Sequence, residues 1–450
     1  MKILIAGAGT VGQTLAGKLV KEGHDVIVMD SNSHNLRQLE EYYDLQTVNE
    51  NALNVKTLKH VGVENADLVI AVTNSDADNV MVCHLAHKMG AKRKIARIRS
   101  DGIFKEPGVL TGNNLGIDDV IFPEKMASQD ILRLLLKPYA VQGFEFLNTK
   151  IEVLEMVVRH GDLLVGKTLV DLPTLNKKVF RIACIKRGDG AFIPGAEDVI
   201  AEGDHIFVAA LAVELEDVIQ ELGFEVKPIE KVFIFGGTNI GMDLALSLEE
   251  SQIKVSIVDP SRIKTKEMAF QLNNALVLHG DGTDANLLEG EGVSEAEVFV
   301  AVTDDENANL LSCLLAKKLG VKKTISLVTK PDFVPLISQL NIDSIISQRL
   351  ISINKIMHYV RRGNIVAVEE LVENKIHALE FRVTDKTLVI KEAISSETFR
   401  NEFPRGCLIG GVIRKSVAFV VEGNSTFELN DRVVVFCPEE KVPEIEAFFA

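Results

Sequence analysis

The amino-acid sequence contains one long repeat that runs through most of the chain. Residues 71–100 align without a gap on residues 301–330, and the glycine-rich start at residues 2–12 recurs at 232–241. Self-similarity over so long a period indicates a fold assembled from repeated structural units. Each repeat is long enough to hold two modules, which we call A and B in chain order.

The length of the chain requires more than one hydrophobic core. A single core stops growing at about 250 to 300 residues, whereas this chain has 450 residues, of which 46% are hydrophobic. Modules in the order A, B, A, B fit the repeat, and we predict domains at 1–136, 137–226, 229–360 and 365–450. The net charge of -15 disfavours binding to nucleic-acid phosphates, so we expect no nucleic-acid partner.

The sequence carries no signal for a membrane span, for export or for a structural metal. No run approaches the roughly 18 apolar residues that a transmembrane helix needs, and the first residues lead directly into a glycine-rich turn. We therefore expect a cytoplasmic protein without a metal site. The cysteines form no CxxC pair and suggest neither a disulfide framework nor a zinc site; they are Cys83, Cys184, Cys313, Cys407 and Cys437.

The first A module begins with the pattern strand, turn, helix. The apolar run Lys2–Ala6 stops at a glycine-rich turn, after which apolar residues recur at helical spacing. Gly7 permits a tight turn, Gly9 lets backbone N–H groups approach a pyrophosphate, and Gly12 lets the helix pack closely on the strand. The start of that helix then faces the anion with unpaired N–H groups. On its own this glycine motif is weak evidence for a nucleotide-binding site, and the elements that follow it must support the interpretation.

The strands that follow supply this context. We predict strands at Val26–Met29, Leu68–Val72 and Lys94–Ile98, with a helix at Asn79–Met89. Strands that alternate with helices indicate a parallel, doubly wound sheet, in which ligands bind at the carboxyl ends of the strands.

The predicted site residues at that edge are Gly7, Asp30, Thr73 and either Arg97 or Arg99. Asp30 can accept hydrogen bonds from a ribose, and Thr73 follows the next predicted strand. Arg97 is our choice of phosphate partner over Arg99. The alternatives are a capping role for Asp30 and solvated strand ends for the arginines.

The second A module keeps less of this pattern. Thr238 replaces the middle glycine and would crowd a pyrophosphate, while Leu327 stands where the first module has Arg97. Asp259 and Thr303 are retained, and the loop 280–283 is more polar than its counterpart. We therefore predict the first A module as the better nucleotide site, with the second binding weakly, binding another ligand or serving as structure.

The B modules read as small α+β units without catalytic residues. Neither clusters histidine, lysine or arginine as the substrate domain of a dehydrogenase would, and His160 and His205 are expected at the surface. Arg187 and Arg414 recur at the same place in both copies. They either bind a small anion at an interface or are exposed charges after a strand. We therefore predict that the protein is not an enzyme.

Taken together, these motifs resemble the TrkA family, the tandem RCK-domain regulatory subunits of Trk-type potassium uptake systems, over essentially all of the chain. The motifs that carry the resemblance are Gly7–Gly12 with Asp30, AVTNSD at 71–76, IARIR at 95–99, Gly236–Gly241 with Asp259, and IPGAED at 193–198 followed by EGD at 202–204. The resemblance implies an α/β fold in which a Rossmann-like, doubly wound parallel sheet is duplicated, and each copy is followed by a small α+β RCK C-terminal domain.

The resemblance also implies the ligands and the residues that would bind them. The cofactor would be NAD or NADH, with ATP or ADP as further candidates. Glu50, where the family usually has glycine, would disfavour the more highly charged nucleotide. The implied contacts are Gly7, Ala8, Gly9, Thr10, Val11, Gly12, Asp30, Thr73, Asn74 and Arg97 in the first module, and Gly236, Gly237, Thr238, Asn239, Ile240, Asp259 and Thr303 in the second.

The implied assembly is a ring on the inner face of the cell membrane. By resemblance, a homotetramer docks on a TrkH/TrkG-like potassium-transporting subunit and gates it when a nucleotide favours one ring shape. Amphipathic segments at 123–135 and 347–356 correspond to crossover helices that pair A modules, or else are the last core helix of each domain. Two other functions stay open, namely an NAD-dependent oxidoreductase and a nucleotide-independent scaffold.

Overall fold

A computed structural model describes residues 1–99, 101–104, 111–137, 139–172, 178–329, 340–360, 365–372 and 375–450. The chain divides into two compact units, each built from both repeats. Unit 1 contains Met1–Leu132 and Lys231–Val360, hence the two A modules. Unit 2 contains Arg133–Glu230 and Arg361–Ala450, hence the two B modules.

The first repeat contains two sheets. Its strands are β1 Lys2–Ala6, β2 Asp25–Met29, β3 Gln46–Val48, β4 Leu68–Ala71, β5 Arg93–Arg97, β6 Asp119–Ile121, β7 Gln142–Phe146, β8 Ile151–Val157, β9 Phe180–Arg187, β10 Gly190–Phe192 and β11 His205–Leu211. Its helices are α1 Thr10–Lys21, α2 Ser33–Tyr42, α3 Val55–His60, α4 Asp76–Met89, α5 Gly112–Leu115, α6 Pro123–Leu136 and α7 Leu215–Glu221.

The second repeat has the same arrangement. Its strands are β12 Lys231–Phe235, β13 Lys254–Asp259, β14 Leu276–His279, β15 Val298–Ala301, β16 Lys323–Val328, β17 Ser344–Ser347, β18 Ile365–Val372, β19 Ile376–Arg382, β20 Leu408–Arg414, β21 Val417–Phe419 and β22 Arg432–Pro438. Its helices are α8 Asn239–Glu250, α9 Arg262–Gln271, α10 Ala285–Gly290, α11 Glu306–Lys318, α12 Gln348–Val360, α13 Glu397–Glu402 and α14 Val442–Phe449.

The two A sheets confirm the predicted doubly wound fold. All strands of the first pair in parallel in the order β3-β2-β1-β4-β5-β6, and the second has the equivalent order β14-β13-β12-β15-β16-β17. The inner strands are buried along most of their length because helices cover both faces of such a sheet. Strand order reverses next to β1, which places the ligand-binding edge at its carboxyl end.

One helix begins earlier than its apolar pattern predicts. The predicted helix Asn79–Met89 starts at Asp76, because the Ser75 hydroxyl accepts a hydrogen bond from the Asp78 N–H and caps the first turn. It ends at Met89, and the capping residue Gly90 has a φ of 100°. The correction brings Asp76 into the helix and Asn79 onto its first turn.

The two A modules exchange contacts through the predicted crossover segment of the second repeat. Helix α12 packs on α1 of the first module, and its Ile353 and Ile356 belong to the same core cluster as Leu15 and Leu19. At the end of α12, the Arg93 guanidinium lies over the Tyr359 ring at 4.9 Å. Helix α12 therefore completes the core of the other A module, as the crossover interpretation predicts.

The B modules form two antiparallel sheets that share a core. Their orders are β10-β9-β11-β8-β7 and β18-β19-β22-β20-β21, which are equivalent when the second is reversed. Aromatic side chains of both sheets meet in one cluster, with the rings of Phe146 and Phe436 6.5 Å apart. Each sheet thus buries one face against the other copy, which is how units of this size gain a sufficient core. The four sheets lie inside the four predicted domain ranges, whose boundaries stay predictions.

Candidate functional site

The three glycines of the first loop, residues 7–12, differ in what surrounds them. Gly7 has a φ of 107°, and a Cβ on Gly12 would lie 1.9 Å from the Gly7 carbonyl oxygen, so the helix can approach the strand only without a side chain there. By contrast, beyond Gly9 and its two chain neighbours, no atom of the described residues lies within 4 Å of a Cβ built on Gly9. Gly9 is the N-cap residue of α1, and no side-chain hydrogen bond caps this helix. The space at Gly9 is therefore open to a ligand.

The carboxylate of Asp30 lies at the base of this loop. The Ala8 N–H donates to Asp30 Oδ2 at 2.6 Å, and the Asn32 N–H donates to Oδ1 at 2.7 Å. Both oxygens are thus fixed in position, yet each can accept a further hydrogen bond. Asp30 is half-buried at the carboxyl end of β2, so a ribose can reach it.

Thr73 is held by a buried asparagine that the sequence interpretation did not single out. Asn79 is fully buried, and its Oδ1 accepts hydrogen bonds from the Thr73 N–H and hydroxyl, both at 2.8 Å. Its Nδ2 donates to the carbonyl oxygens of Thr73 at 3.2 Å and Arg97 at 2.7 Å. Asn79 therefore joins the ends of β4 and β5, while Asn74 is exposed at the turn between β4 and α4.

Arg97 is a half-buried cation at the carboxyl end of β5. Its Nε is buried and has no hydrogen-bond partner among the described residues. Burial lowers the pKa of Arg97 and the neighbouring Arg99 adds to this, while Asp76 and Glu124 oppose it. A buried donor that lacks a partner is costly, and a phosphate oxygen would supply one. Arg99, in contrast, is exposed.

In the second glycine-rich loop, residues 236–241, side chains of the protein occupy groups that a nucleotide would otherwise contact. The Thr238 hydroxyl donates to the Val302 carbonyl oxygen at 2.7 Å and accepts from the Gly241 N–H at 3.3 Å, so it caps α8. That N–H is one of the groups that would otherwise face an anion. Asp259 binds the loop as Asp30 does, through the Gly237 N–H at 2.7 Å, but its exposed fraction is 4%.

A carboxylate from the first A module also lies at the second loop. Asn239, the first residue of α8, donates from Nδ2 to Glu124 Oε2 at 2.7 Å. Glu124 belongs to the first turn of α6. The equivalent position in the second repeat is Arg349, whose Nη2 donates to the Thr14 hydroxyl on α1 of the first module. The start of α8 thus receives a carboxylate from the other A module, whereas α1 receives a guanidinium.

Core packing explains the glycines of the polar loop 280–283, which follows β14. A Cβ on Gly282 would lie 2.3 Å from the ring of Phe235, and one on Gly280 would lie 2.1 Å from a methyl group of Leu287. Asp281 is satisfied locally, since its Oδ1 accepts from the N–H and hydroxyl of Thr283. The glycines make room for larger core side chains, so the loop needs no ligand to account for its sequence.

The repeated arginines of the B modules form ion pairs, and Arg187 is also exposed at the end of its strand, as the second of the two interpretations expects. Arg187 donates from Nε and Nη2 to the two Asp204 oxygens at 2.7 Å each, and Arg414 Nη2 donates to Asp431 Oδ2 at 2.8 Å. The side chains of Asp204 and Asp431 are 0% and 1% exposed. Each arginine therefore neutralises a buried carboxylate and is not free to hold an anion.

The two B-module histidines differ in exposure. His160 is at the surface as predicted, with its Nδ1 3.0 Å from Glu202 Oε2. His205 is partly buried and its Nδ1 lies 2.6 Å from Glu155 Oε1, so it is a hydrogen-bond partner inside the sheet. In the parts of the chain that the structure describes, no group of histidine, cysteine and acidic side chains could hold a metal ion. No described helix is long and apolar enough to cross a bilayer.

Family comparisons agree with this duplicated architecture. The TrkA-N domain model matches residues 3–123 and again residues 232–348, and the TrkA-C domain model matches residues 153–223. The chain belongs to the TrkA family.

Two curated members of the TrkA family match the whole of this chain. The Trk system potassium uptake protein TrkA of Halomonas elongata is 33% identical over 455 residues, which covers 100% of this chain and 98% of that protein. The protein of the same name from Vibrio alginolyticus is 32% identical over 453 residues, with the same coverage.

Solved structures share the fold at lower identity. The crystal structure of the GsuK RCK domain has a TM-score of 0.62 and 18% identity, and the match covers 100% of this chain and 94% of that chain. The GsuK channel bound to NAD has the same TM-score and identity, with coverage of 99% and 78%. At this identity the likeness concerns the fold alone.

In this TrkA-family chain, the repeat itself contained the signal for the missed residues. Asn79 and Asn309 occupy equivalent places, and Asn309 makes the same four hydrogen bonds to residues 303 and 327. A polar residue kept in both copies six positions after a threonine indicates a shared structural task. Glu124 had no such signal, because its partner Asn239 lies in the other A module.

Proposed function

We propose that this chain is the regulatory subunit of a Trk-type potassium uptake system and that it senses a nucleotide at its first A module. The observation that carries the proposal is the buried Arg97 Nε, which has no hydrogen-bond partner among the described residues and lies at the same sheet edge as an open glycine loop. Its ligand is NAD or NADH, with ATP or ADP as the alternative. The relatives named as potassium uptake proteins support the role, and GsuK structures with bound NAD and with ADP support the ligand class.

The proposed contacts in the first module divide the ligand into two parts. The backbone of Gly7, Ala8, Gly9, Thr10, Val11 and Gly12 faces the phosphates together with the Arg97 guanidinium, since helix N-termini and arginines stabilise phosphate oxygens. Asp30 accepts hydrogen bonds from the ribose hydroxyls. Thr73 and Asn74 form the wall at the end of β4, with Thr73 held in place by Asn79.

The second module is proposed as a closed site. Thr238 takes up the Gly241 N–H, Glu124 brings a carboxylate to Asn239, and Asp259 is buried. A carboxylate near the start of a helix competes with a phosphate for the same N–H groups and the same positive end of the helix. The contacts of Gly236, Gly237, Ile240 and Thr303 with a nucleotide therefore require that Glu124 first moves away.

We further propose that the protein acts without catalysing a reaction. It lies on the cytoplasmic face of the cell membrane as a homotetramer and contacts a TrkH/TrkG-like subunit that conducts potassium. A nucleotide that binds one ring shape more tightly than another shifts the population of shapes, and the membrane subunit responds to that shift. Such a mechanism needs differential affinity and no catalytic residue.

Calorimetric titration of the full chain with NADH, NAD, ATP and ADP tests the nucleotide part. We expect one bound nucleotide per chain, loss of binding in Asp30→Ala, and unchanged binding in the matched variant Asp259→Ala. In Glu124→Gln we expect a second, weaker binding event. The same titrations, followed by NADH absorbance with candidate substrates, distinguish a sensor from an oxidoreductase. Failure of all four nucleotides to bind would leave a scaffold.

Potassium flux tests the regulatory part. In vesicles that contain the membrane subunit, we expect added protein to change the potassium flux and the better-binding nucleotide to change it further. Asp30→Ala should still bind the membrane subunit but should not respond to the nucleotide. A potassium flux that stays the same when the protein is added would contradict the proposal, whatever the result of the nucleotide titrations.

A further inference from the structure

Two cysteines of the second B module face each other across neighbouring strands. In the antiparallel pair of β20 and β22, Leu408 lies opposite Phe436. The same register, continued by one residue, places Cys407 opposite Cys437. Directly opposed residues in such a pair have Cα atoms about 4.5 or 5.5 Å apart, and a disulfide requires about 4.4 to 6.8 Å. The backbone therefore already has the spacing of a disulfide, although both thiols are free.

The two thiols differ in access and in acidity. Cys437 is fully buried in the core of the second B module, whereas Cys407 is half-buried at its edge. A hydrogen bond from Cys437 lowers the pKa of Cys407, burial opposes this, and the Lys441 ammonium adds to it. The same hydrogen bond, together with burial, raises the pKa of Cys437. Cys407 is thus the more acidic and the more accessible of the two thiols.

Cys407 also lines a pocket large enough for a small reagent. The pocket has a volume of about 890 Å³ and opens to solvent. Its charged lining residues are Arg181, Arg400, Arg405, Glu397 and Glu422, which leaves an excess of one positive charge. A low-molecular-weight disulfide that bears carboxylates fits this charge balance better than a neutral one.

We propose that Cys407 and Cys437 form a reversible dithiol–disulfide pair that a small anionic disulfide oxidises through the pocket. The Cys407 thiolate attacks one sulfur of the reagent RSSR, forms a Cys407–S–S–R mixed disulfide and releases RS⁻, which takes up a proton. Cys437 then loses its proton and attacks the Cys407 sulfur, which releases the second RSH. The net reaction converts two protein thiols and one RSSR into one intrachain disulfide and two RSH.

The product is a covalent link between the start of β20 and the end of β22. The remaining cysteines do not compete, because Cys83, Cys184 and Cys313 are fully buried and burial raises the pKa of each thiol. The pair would give the second B module an input that is independent of nucleotide binding, since all its parts lie in unit 2.

Oxidation of the reduced full-length protein with glutathione disulfide tests the proposal. Of the five cysteines, we expect two titratable thiols to be lost, and we expect peptide mass spectrometry to find Cys407 linked to Cys437. Reduction with dithiothreitol should restore both. The uncharged 2-hydroxyethyl disulfide should react at least several-fold more slowly. Retention of all five thiols, or a link between any other pair, would overturn the proposal.

Variants separate the roles of the two thiols. Cys437→Ser should stop at a stable mixed disulfide on Cys407, and Cys407→Ser should slow the loss of thiols at least tenfold. Cys184→Ser, which removes a buried cysteine of the other B module, is the matched control and should behave as wild type. If Cys437→Ser acquires no glutathione on Cys407, the assignment of Cys407 as the attacking thiol is wrong.

Discussion

Replacement of Arg97 by methionine should change ligand binding and stability in opposite directions. In the unliganded protein the guanidinium is half-buried, and its Nε has no partner among the described residues. Removing it therefore relieves an unfavourable burial, and we expect Arg97→Met to be at least as resistant to urea as wild type. A nucleotide phosphate, in contrast, loses its cation, so binding should weaken.

The loss of affinity follows from the hydrogen bonds that the guanidinium can offer. A hydrogen bond to a charged group contributes about 1.5 to 3 kcal/mol, which corresponds to a roughly 10- to 150-fold rise in Kd. The second A module has Leu327 at the equivalent position, so the chain itself shows that an apolar residue fits there. The substitution should leave the sheet intact.

Titration with NADH, followed by its fluorescence, measures the affinity. The chain contains no tryptophan, so the background is low. Arg99→Met is the matched control, since Arg99 is exposed just beyond the end of the same strand and its backbone N–H, which the substitution keeps, donates to Asp76. An Arg97→Met protein that is less stable but binds NADH normally would refute the reasoning, because Arg97 would then support the fold and not the ligand.

Two further predictions concern buried polar groups. Asn79→Ala and Asn309→Ala should each lower the free energy of unfolding of unit 1 by about 3 kcal/mol, because each leaves buried backbone groups without partners, but only Asn79→Ala should weaken NADH binding. Burial raises the pKa of Asp204, yet the Arg187 and Ala201 hydrogen bonds outweigh it and the pKa lies below the usual range. The Asp204 carboxylate therefore contributes stability above about pH 4 that is lost as the pH falls through its lowered pKa. Asp204→Asn should cost about 2 kcal/mol at pH 7 and flatten the acid dependence of the urea midpoint, and an equally steep dependence in this variant would contradict the assignment.

The sequence predicted those parts of the fold that depend on residues close together in the chain. Gly7 and Gly12 act on each other within one turn, so their spacing alone indicated the strand, turn and helix. The start of α4 was missed although its signal was local, because the capping Ser75 lies before the apolar pattern that marked the helix. Strand β10 has three residues and no alternating pattern, and it exists through its pairing with β9.

The site could be predicted only in part, because several of its features depend on distant contacts. Nothing near Glu124 in the sequence indicates that it meets Asn239. The capping role of Thr238 could have been predicted, since threonine is favoured at the start of a helix, but its position suggested a steric role instead. The pairing of Arg187 with Asp204 was also within reach, as both residues recur together in the second copy as Arg414 and Asp431.

Helix α12 gives the two halves of the chain a fixed order of completion during synthesis. The ribosome releases α1 early, but the cover for Leu15 and Leu19 includes Ile353 and Ile356, which emerge after most of the protein has been made. Part of the core of the first A module therefore stays exposed until the end of the second A module has been synthesised. Exposed apolar surface on an unfinished chain favours aggregation. Shielding of that surface until the final quarter of the chain is made would therefore limit aggregation.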